Sequence, residues 1–229
     1  MRTPVLDPEE IHVWFVALDR IRVTEATDIL DDSELRRATG IRHRAGRFRY
    51  LSAHLALRTL LAGYLGVVPQ LPRFERRCPD PDECGGCGAG KPALRAGPWP
   101  EFDINLSHSG SAALLALCRA PGVVGVDIER IRSHFDWSRV PAVGPSGRVA
   151  GFRTWTGIEA VGKAAGTGLR DMAAIGPPEP GGIRRARLPG DVSDWYVSEV
   201  ECPDGYVGSL ATNRPGVTVR TYHWPPIDP

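Results

Sequence analysis

Two short segments of this chain carry residues suited to phosphate chemistry. Gly125-Val126-Asp127-Ile128-Glu129 is apolar and β-branched apart from its two carboxylates, and it reads as a strand. Side chains two apart on a strand share a face, so Asp127 and Glu129 stand side by side, flanked by buried Val126 and Ile128. About thirty residues later comes Trp155-Thr156-Gly157-Ile158-Glu159-Ala160-Val161-Gly162-Lys163-Ala164. This reads as the beginning of a helix, with Thr156 at the N-cap and Glu159 three residues on, at capping-box spacing. Glu159 and Lys163 are four apart and share one helix face. Three carboxylates suit Mg²⁺, which binds through few of them and completes its shell with waters and substrate phosphates. The lysine adds a point charge for the same phosphates. Each part alone is ordinary: a D-x-E also occurs on solvated strands, and a Glu–Lys pair on a helix surface is worth only about 0.2–0.5 kcal/mol.

Three further segments occur in the same chain: Arg47-Phe48-Arg49-Tyr50-Leu51 leading into Arg58, Gly90-Lys91-Pro92, and Asn105-Leu106-Ser107-His108-Ser109-Gly110. With the first two they span about residues 36 to 170. In order and rough spacing the five resemble the 4′-phosphopantetheinyl transferases, in particular the larger monomeric type that activates surfactin synthetase. Those enzymes carry a G-[VI]-D-[IVL]-E strand and a W-[ST]-x-K-E-[AS]-x-x-K helix, and they move phosphopantetheine from coenzyme A onto a serine of a carrier protein. The resemblance implies Mg²⁺ on Asp127 and Glu129, with Glu159 as third ligand, as the base for the serine hydroxyl, or as both. It implies that Lys163 touches the diphosphate and offsets charge on the departing 3′,5′-ADP. Arg49, Lys91, Ser107 and His108 become coenzyme A contacts, with His108 and Arg49 near the 3′-phosphate and Arg37 and Arg44 as weaker candidates. Ser107 and His108 do not form a hydrolase relay on this reading, because neighbours on an extended chain point in opposite directions.

The chain departs from that pattern in two places. Ile158 stands where the family has a lysine, and the stretch from Asp127 to Glu159 is short and carries Pro141, Gly144, Pro145 and Gly147 where the family has a helix. These departures motivate a rival reading, a non-catalytic relative that binds coenzyme A or a carrier protein.

The elements that must position these residues are partly legible. Residues 11–18 read as a buried strand, and 32–40 as a charged helix ending at Gly40. Apolar residues recur at helical spacing from Arg44 to Leu65, with Gly66 as a C-cap. Residues 69–100 read as an extended loop, 104–106 as a short strand, and 111–118 as either helix or buried strand. Pro121-Gly122 turns the chain into the Asp127 strand, a helix runs from about 157 to 166, and Trp195–Val200 and Tyr206–Ala211 read as strands. The periodicities define only an α+β chain of one or two domains. The resemblance sharpens this to two pseudo-twofold-related subdomains, 1–122 and 123–229, each a small antiparallel sheet packed with a long helix, with the active site at their interface.

Composition excludes little else. With 229 residues, 42% hydrophobic and 24% charged, the chain is of ordinary globular make-up. A net charge of +1 speaks against wholesale nucleic-acid binding, and no apolar run approaches the roughly 20 residues of a membrane span. Arginine greatly outnumbers lysine, which suits phosphate recognition and is also produced by a GC-rich genome. No secretory signal is read, so the five cysteines suggest a reducing cytoplasm. Cys78, Cys84 and Cys87 cluster but fall short of the four ligands of a structural zinc site, and a zinc-stabilised module is the third reading. Acyl or peptidyl carrier protein and coenzyme A are the expected partners, and the resemblance implies a monomer.

Overall fold

In the computed structural model, residues 3–77, 91–95, 97–99, 101–137, 140, 143, 147–179 and 181–225 are described. The elements are β1 (Glu10–Ala17), α1 (Ala26–Ile29), α2 (Asp32–Gly40), α3 (Arg44–Leu65), β2 (Phe74–Arg77), β3 (Lys91–Leu94), β4 (Phe102–Ser109), β5 (Ala112–Arg119) and β6 (Val124–Arg130). They continue with α4 (Arg148–Ala165), β7 (Ala174–Pro178), β8 (Arg184–Arg187), β9 (Trp195–Val200), β10 (Tyr206–Thr212) and β11 (Thr218–Trp224). One sheet has the order β11-β1-β5-β4, a second β6-β10-β9-β8-β7, and β2 and β3 form a small hairpin.

The two long helices follow from their sequences in different ways. On α3, Tyr50, Ala53, Leu57, Leu60 and Leu61 are buried at three- and four-residue steps, and Gly66 stops the helix at a φ of +67°. Asp31 and Glu34 form a capping box that begins α2. Fully buried Arg58 ties that box to α3 by donating to Glu34 Oε2 and Asp31 Oδ2, each at 2.7 Å, and to the Pro72 carbonyl at 2.9 Å. The second helix begins earlier than expected, at Arg148 rather than near 157. Thr156 is therefore no N-cap. It is buried mid-helix, where its hydroxyl shares a 2.7 Å hydrogen bond with Ser209 Oγ. The motif T-x-x-E fits the interior of a helix as well as its start, because three residues is also close to one helical turn.

Strand alternation then stacks four layers. Trp14, Val16, Leu115, Leu117 and Ile104 face α3 and pack with Leu57, Leu60 and Leu61. The other face of this sheet presents Ile11, Val13, Phe15, Leu114 and Ala116 to Val126, Ile128 and Leu210 of the second sheet. The far face of that sheet packs Trp195, Val197 and Ala211 on Ala160, Val161 and Ala164 of α4. Strand, helix and hairpin recur in the same arrangement: β1, α3, β4, β5 with sheet order β1-β5-β4, then β6, α4, β9, β10 with order β6-β10-β9. This is the α+β pseudo-twofold architecture that the resemblance implies. The segment 111–118 resolves to strand, because β5 is the central partner of both β1 and β4. β11 was not foreseen: it runs parallel to β1 and brings the last described residues back to the first sheet.

Candidate active site at the junction of the two sheets

Where β4 and β6 run edge to edge, side chains rather than backbone join them. Asp103 Oδ2 accepts from the Val124 amide at 2.7 Å, Asn105 Oδ1 from Val126 at 3.0 Å, and Ser109 Oγ from Arg130 at 3.1 Å. These acceptors lie two or four residues apart on one face of β4, as strand periodicity requires. Ser107, between Asn105 and Ser109 in the series, is used differently: its hydroxyl donates to Asp127 Oδ1 at 2.6 Å. Ser109 likewise donates to Glu129 Oε2 at 2.7 Å. Sequence reasoning did not single out Ser109, although its place two residues beyond Ser107 was a usable signal.

Helix α4 reaches these carboxylates because the second residue of β6 is a glycine. A Cβ on Gly125 would lie 2.1 Å from the Ala160 carbonyl oxygen and 2.5 Å from the Ala164 amide nitrogen. The helix therefore lies directly on the strand, with Glu159 and Lys163 beside Asp127. Lys163 Nζ donates to Asp127 Oδ1 at 2.5 Å and to Ser107 Oγ at 2.9 Å, and stands 3.8 Å from Glu159 Oε2. Burial pushes the Glu159 carboxyl above the ordinary range against the opposing pull of Lys163, and the negative charges of Asp127 and Glu129 push it further. A carboxyl so placed is suited to taking up a proton.

The carboxylate oxygens here are of the donor type that a hard divalent cation takes. Asp127 Oδ2 is buried and has no hydrogen-bond partner among the described residues, a state that a bound ion would relieve. Glu129 and Glu159 are the neighbouring carboxylates. In the arrangement seen here Lys163 neutralises Asp127, and among the described residues no three Asp, Glu, His or Cys side chains are grouped closely enough to hold a metal.

The expected phosphate contacts divide into two sets and an exception. Ser107 and Lys163 lie at the carboxylates. His108 points from the opposite face of β4, towards α3, as strand alternation predicts. His108 is exposed at the surface of β4, and the protein beside it, with the positive charges of His54, Lys163 and Arg49, lowers its pKa and favours the neutral imidazole. An anion there would face Arg49 and His54, and His54 is held by Glu34 Oε1 at 2.8 Å. Lys91 is the exception. The chain has two lysines, and Lys91 is the one that is structurally consumed: it pairs with Asp103 and donates to the Val124 carbonyl at 2.8 Å and the Ala164 carbonyl at 3.3 Å. Its ammonium joins β3, β4, β6 and the end of α4, and it is not brought to the carboxylates. Ile158 is buried in an apolar cluster with Val140 and Val143, so a side chain at this position does not face the diphosphate site expected at the carboxylates. Cys78, Cys84, Cys87 and Gly90 lie outside the described residues, as do Pro141, Gly144 and Pro145.

No family profile matches the chain. Individual proteins do, nearly end to end. The 4′-phosphopantetheinyl transferase HetI of Nostoc sp. is 26% identical over 94% of this chain and 93% of its own length. The Synechocystis sp. protein slr0495, provisionally given the same name, is 27% identical over 81% of this chain and 78% of its own. The chain, with its repeated strand–helix–hairpin fold and a carboxylate–lysine site at the junction, is thus similar to named 4′-phosphopantetheinyl transferases along most of its length.

Proposed function

We propose that this protein transfers 4′-phosphopantetheine from coenzyme A to a serine of an acyl or peptidyl carrier protein of fatty-acid, polyketide or nonribosomal peptide synthesis, releasing 3′,5′-ADP. The observation that carries this reading is the convergence of Asp127, Glu159, Lys163 and Ser107 from three elements, in a chain similar to named transferases along most of its length. Asp127, Glu129 and Glu159 would hold Mg²⁺, which when bound neutralises the diphosphate oxygens. Glu159 in its ionised form takes the proton from the carrier serine. The serine oxygen forms the new bond to the β-phosphorus, and the bond from that phosphorus to the bridging oxygen of the diphosphate breaks. Lys163 stabilises the negative charge that collects on the 3′,5′-ADP side. Ser107 holds Lys163 in register, while His108 and Arg49 receive the 3′-phosphate.

The division into subdomains 1–122 and 123–229, with β11 crossing back to the first sheet, is part of the same proposal, as are a monomeric state and a cytoplasmic setting. Both halves of the site lie in one chain, which supports the monomer. Among the described residues no helix is long and apolar enough to cross a membrane. The test is intact-protein mass spectrometry of apo-carrier proteins incubated with coenzyme A, Mg²⁺ and this protein. A gain of phosphopantetheine mass is expected on at least one carrier. No gain on any carrier of the three pathways overturns the reading.

A further inference from the structure

Besides Lys163, a second cation stands at the carboxylates. Arg132 follows β6 in an irregular segment, and its Nη2 lies 3.4 Å from Glu129 Oε2. Its guanidinium carbon sits 4.9 Å from the ring centre of Phe135 and 5.8 Å from that of Phe152. Those rings are anchored in turn. Phe152 is fully buried on α4, and Phe135 and Trp137 pack against it with centroids 5.5 and 4.9 Å away. Trp137 covers Gly151 so closely that a Cβ there would lie 2.7 Å from the indole. The segment carrying Arg132 is thus fastened to the same helix that carries Glu159 and Lys163. The arginine side chain keeps 45% of its surface exposed. A guanidinium held by aromatic faces retains its in-plane N–H donors for an anion.

We propose that Arg132 is a substrate-binding residue whose guanidinium takes a non-bridging oxygen of the coenzyme A diphosphate. This rests on the transferase reading above. Asp127 and Glu129 lie about 7 Å apart along the strand, and each is paired with its own cation, Lys163 or Arg132. A cation at each of two neighbouring carboxylates offers one donor group to each phosphoryl of a diphosphate. Arg49, with the imidazoles of His54 and His108, forms a separate group towards α3 that serves the 3′-phosphate.

Calorimetric titration separates the two phosphate sites. Coenzyme A and dephospho-coenzyme A, which lacks the 3′-phosphate, are titrated into the wild type, Arg132→Gln, Arg132→Met and His108→Ala. Loss of a charge-assisted contact corresponds to roughly ten- to hundredfold weaker binding. Both Arg132 variants are expected to weaken both ligands by that factor, whereas His108→Ala weakens coenzyme A alone. Arg132→Met keeps an apolar stem over Phe135 and Phe152, so it decides the matter if the glutamine variant unfolds. Wild-type affinity in either folded variant overturns the inference, and so does a loss seen with coenzyme A only, which would move Arg132 to the 3′-phosphate. If the wild type binds neither ligand, the transferase reading falls and this inference with it. Wild-type binding with an unchanged Arg132 variant rejects the inference alone.

Discussion

Lys163 Nζ lies 2.5 Å from Asp127 Oδ1, closer than the 3.8 Å to Glu159 on its own helix. The ammonium is drawn across from α4 to the strand and stands over a carboxylate that is otherwise buried. Removing the lysine leaves that charge unpaired, a change that typically costs about 3–5 kcal/mol. Lys163→Met should therefore lower stability by an amount in that range without divalent metal. Mg²⁺ should raise its melting temperature more than that of the wild type, because the ion no longer competes with the ammonium. Thermal melts of both proteins across a Mg²⁺ series give the comparison. Equal insensitivity to Mg²⁺ would remove Asp127 from the metal site.

Turnover should depend on the ionised form of Glu159. Burial and the nearby Asp127 and Glu129 favour its protonated form, against the pull of Lys163. A protonated Glu159 cannot accept the serine proton, so kcat falls as pH falls through its pKa. Mg²⁺ on the same carboxylates favours the ionised form, so that acid limb should move to lower pH as Mg²⁺ is raised towards saturation. Glu159→Gln should lose about 10²–10⁴-fold in kcat together with the limb. A pH profile for the glutamine variant with the wild-type limb intact would assign the titration to another group.

Close approach of α4 to β6 makes Gly125 the tightest backbone position in the site. Gly125→Ala forces the new methyl against the Ala160 carbonyl and the Ala164 backbone, neither of which is a flexible side-chain end. Overpacking of this kind costs about 1–3 kcal/mol and moves Glu159 and Lys163 away from Asp127. Activity should fall further than stability alone explains. Gly147→Ala is the matched comparison, because nothing lies within 4 Å of its Cβ position and its φ of −59° suits any residue. Equal activity of the two variants would refute the claim that this contact sets the site.

The reach of the sequence can be judged residue by residue. Helix α3 was legible from leucine spacing and Gly66, and Asp127 and Glu129 from strand alternation, because both patterns are local. The opposed directions of Ser107 and His108 were legible for the same reason. The early start of α4 was not: glycines at 147 and 151 suggest a turn, and the helix there is supported by Trp137 packing over Gly151. The contacts of Lys91 with Asp103 and two carbonyls were not legible, because the carbonyls are 33 and 73 residues away in sequence. β11 has an exposed, polar composition, and its extended form comes from pairing with β1 more than 200 residues away.

That pairing encloses a titratable group. His12 is fully buried on β1, with Nδ1 2.7 Å from the Tyr64 hydroxyl and Nε2 3.1 Å from Glu10 Oε2. Tyr222 of β11 packs its ring 5.0 Å from the imidazole, Arg220 of β11 donates to Glu10 Oε1 at 2.5 Å, and the charge of Asp7 also acts on His12. Burial lowers the His12 pKa and outweighs the opposing pull of Glu10. The native imidazole therefore stays neutral below pH values at which an unfolded histidine, with a pKa of about 6.5, has taken up a proton. Protons then bind the unfolded state preferentially, so stability falls as pH drops from about 6.5 towards the lowered native value. Glu10 has a depressed pKa, through Arg220 first and His12 second, and adds a further loss once unfolded glutamates protonate near pH 4.3. Urea unfolding from pH 8 to pH 5 should show the wild type losing stability while His12→Asn stays flatter. Parallel curves for the two proteins would show that His12 does not carry the acid sensitivity of the β1–β11 pair.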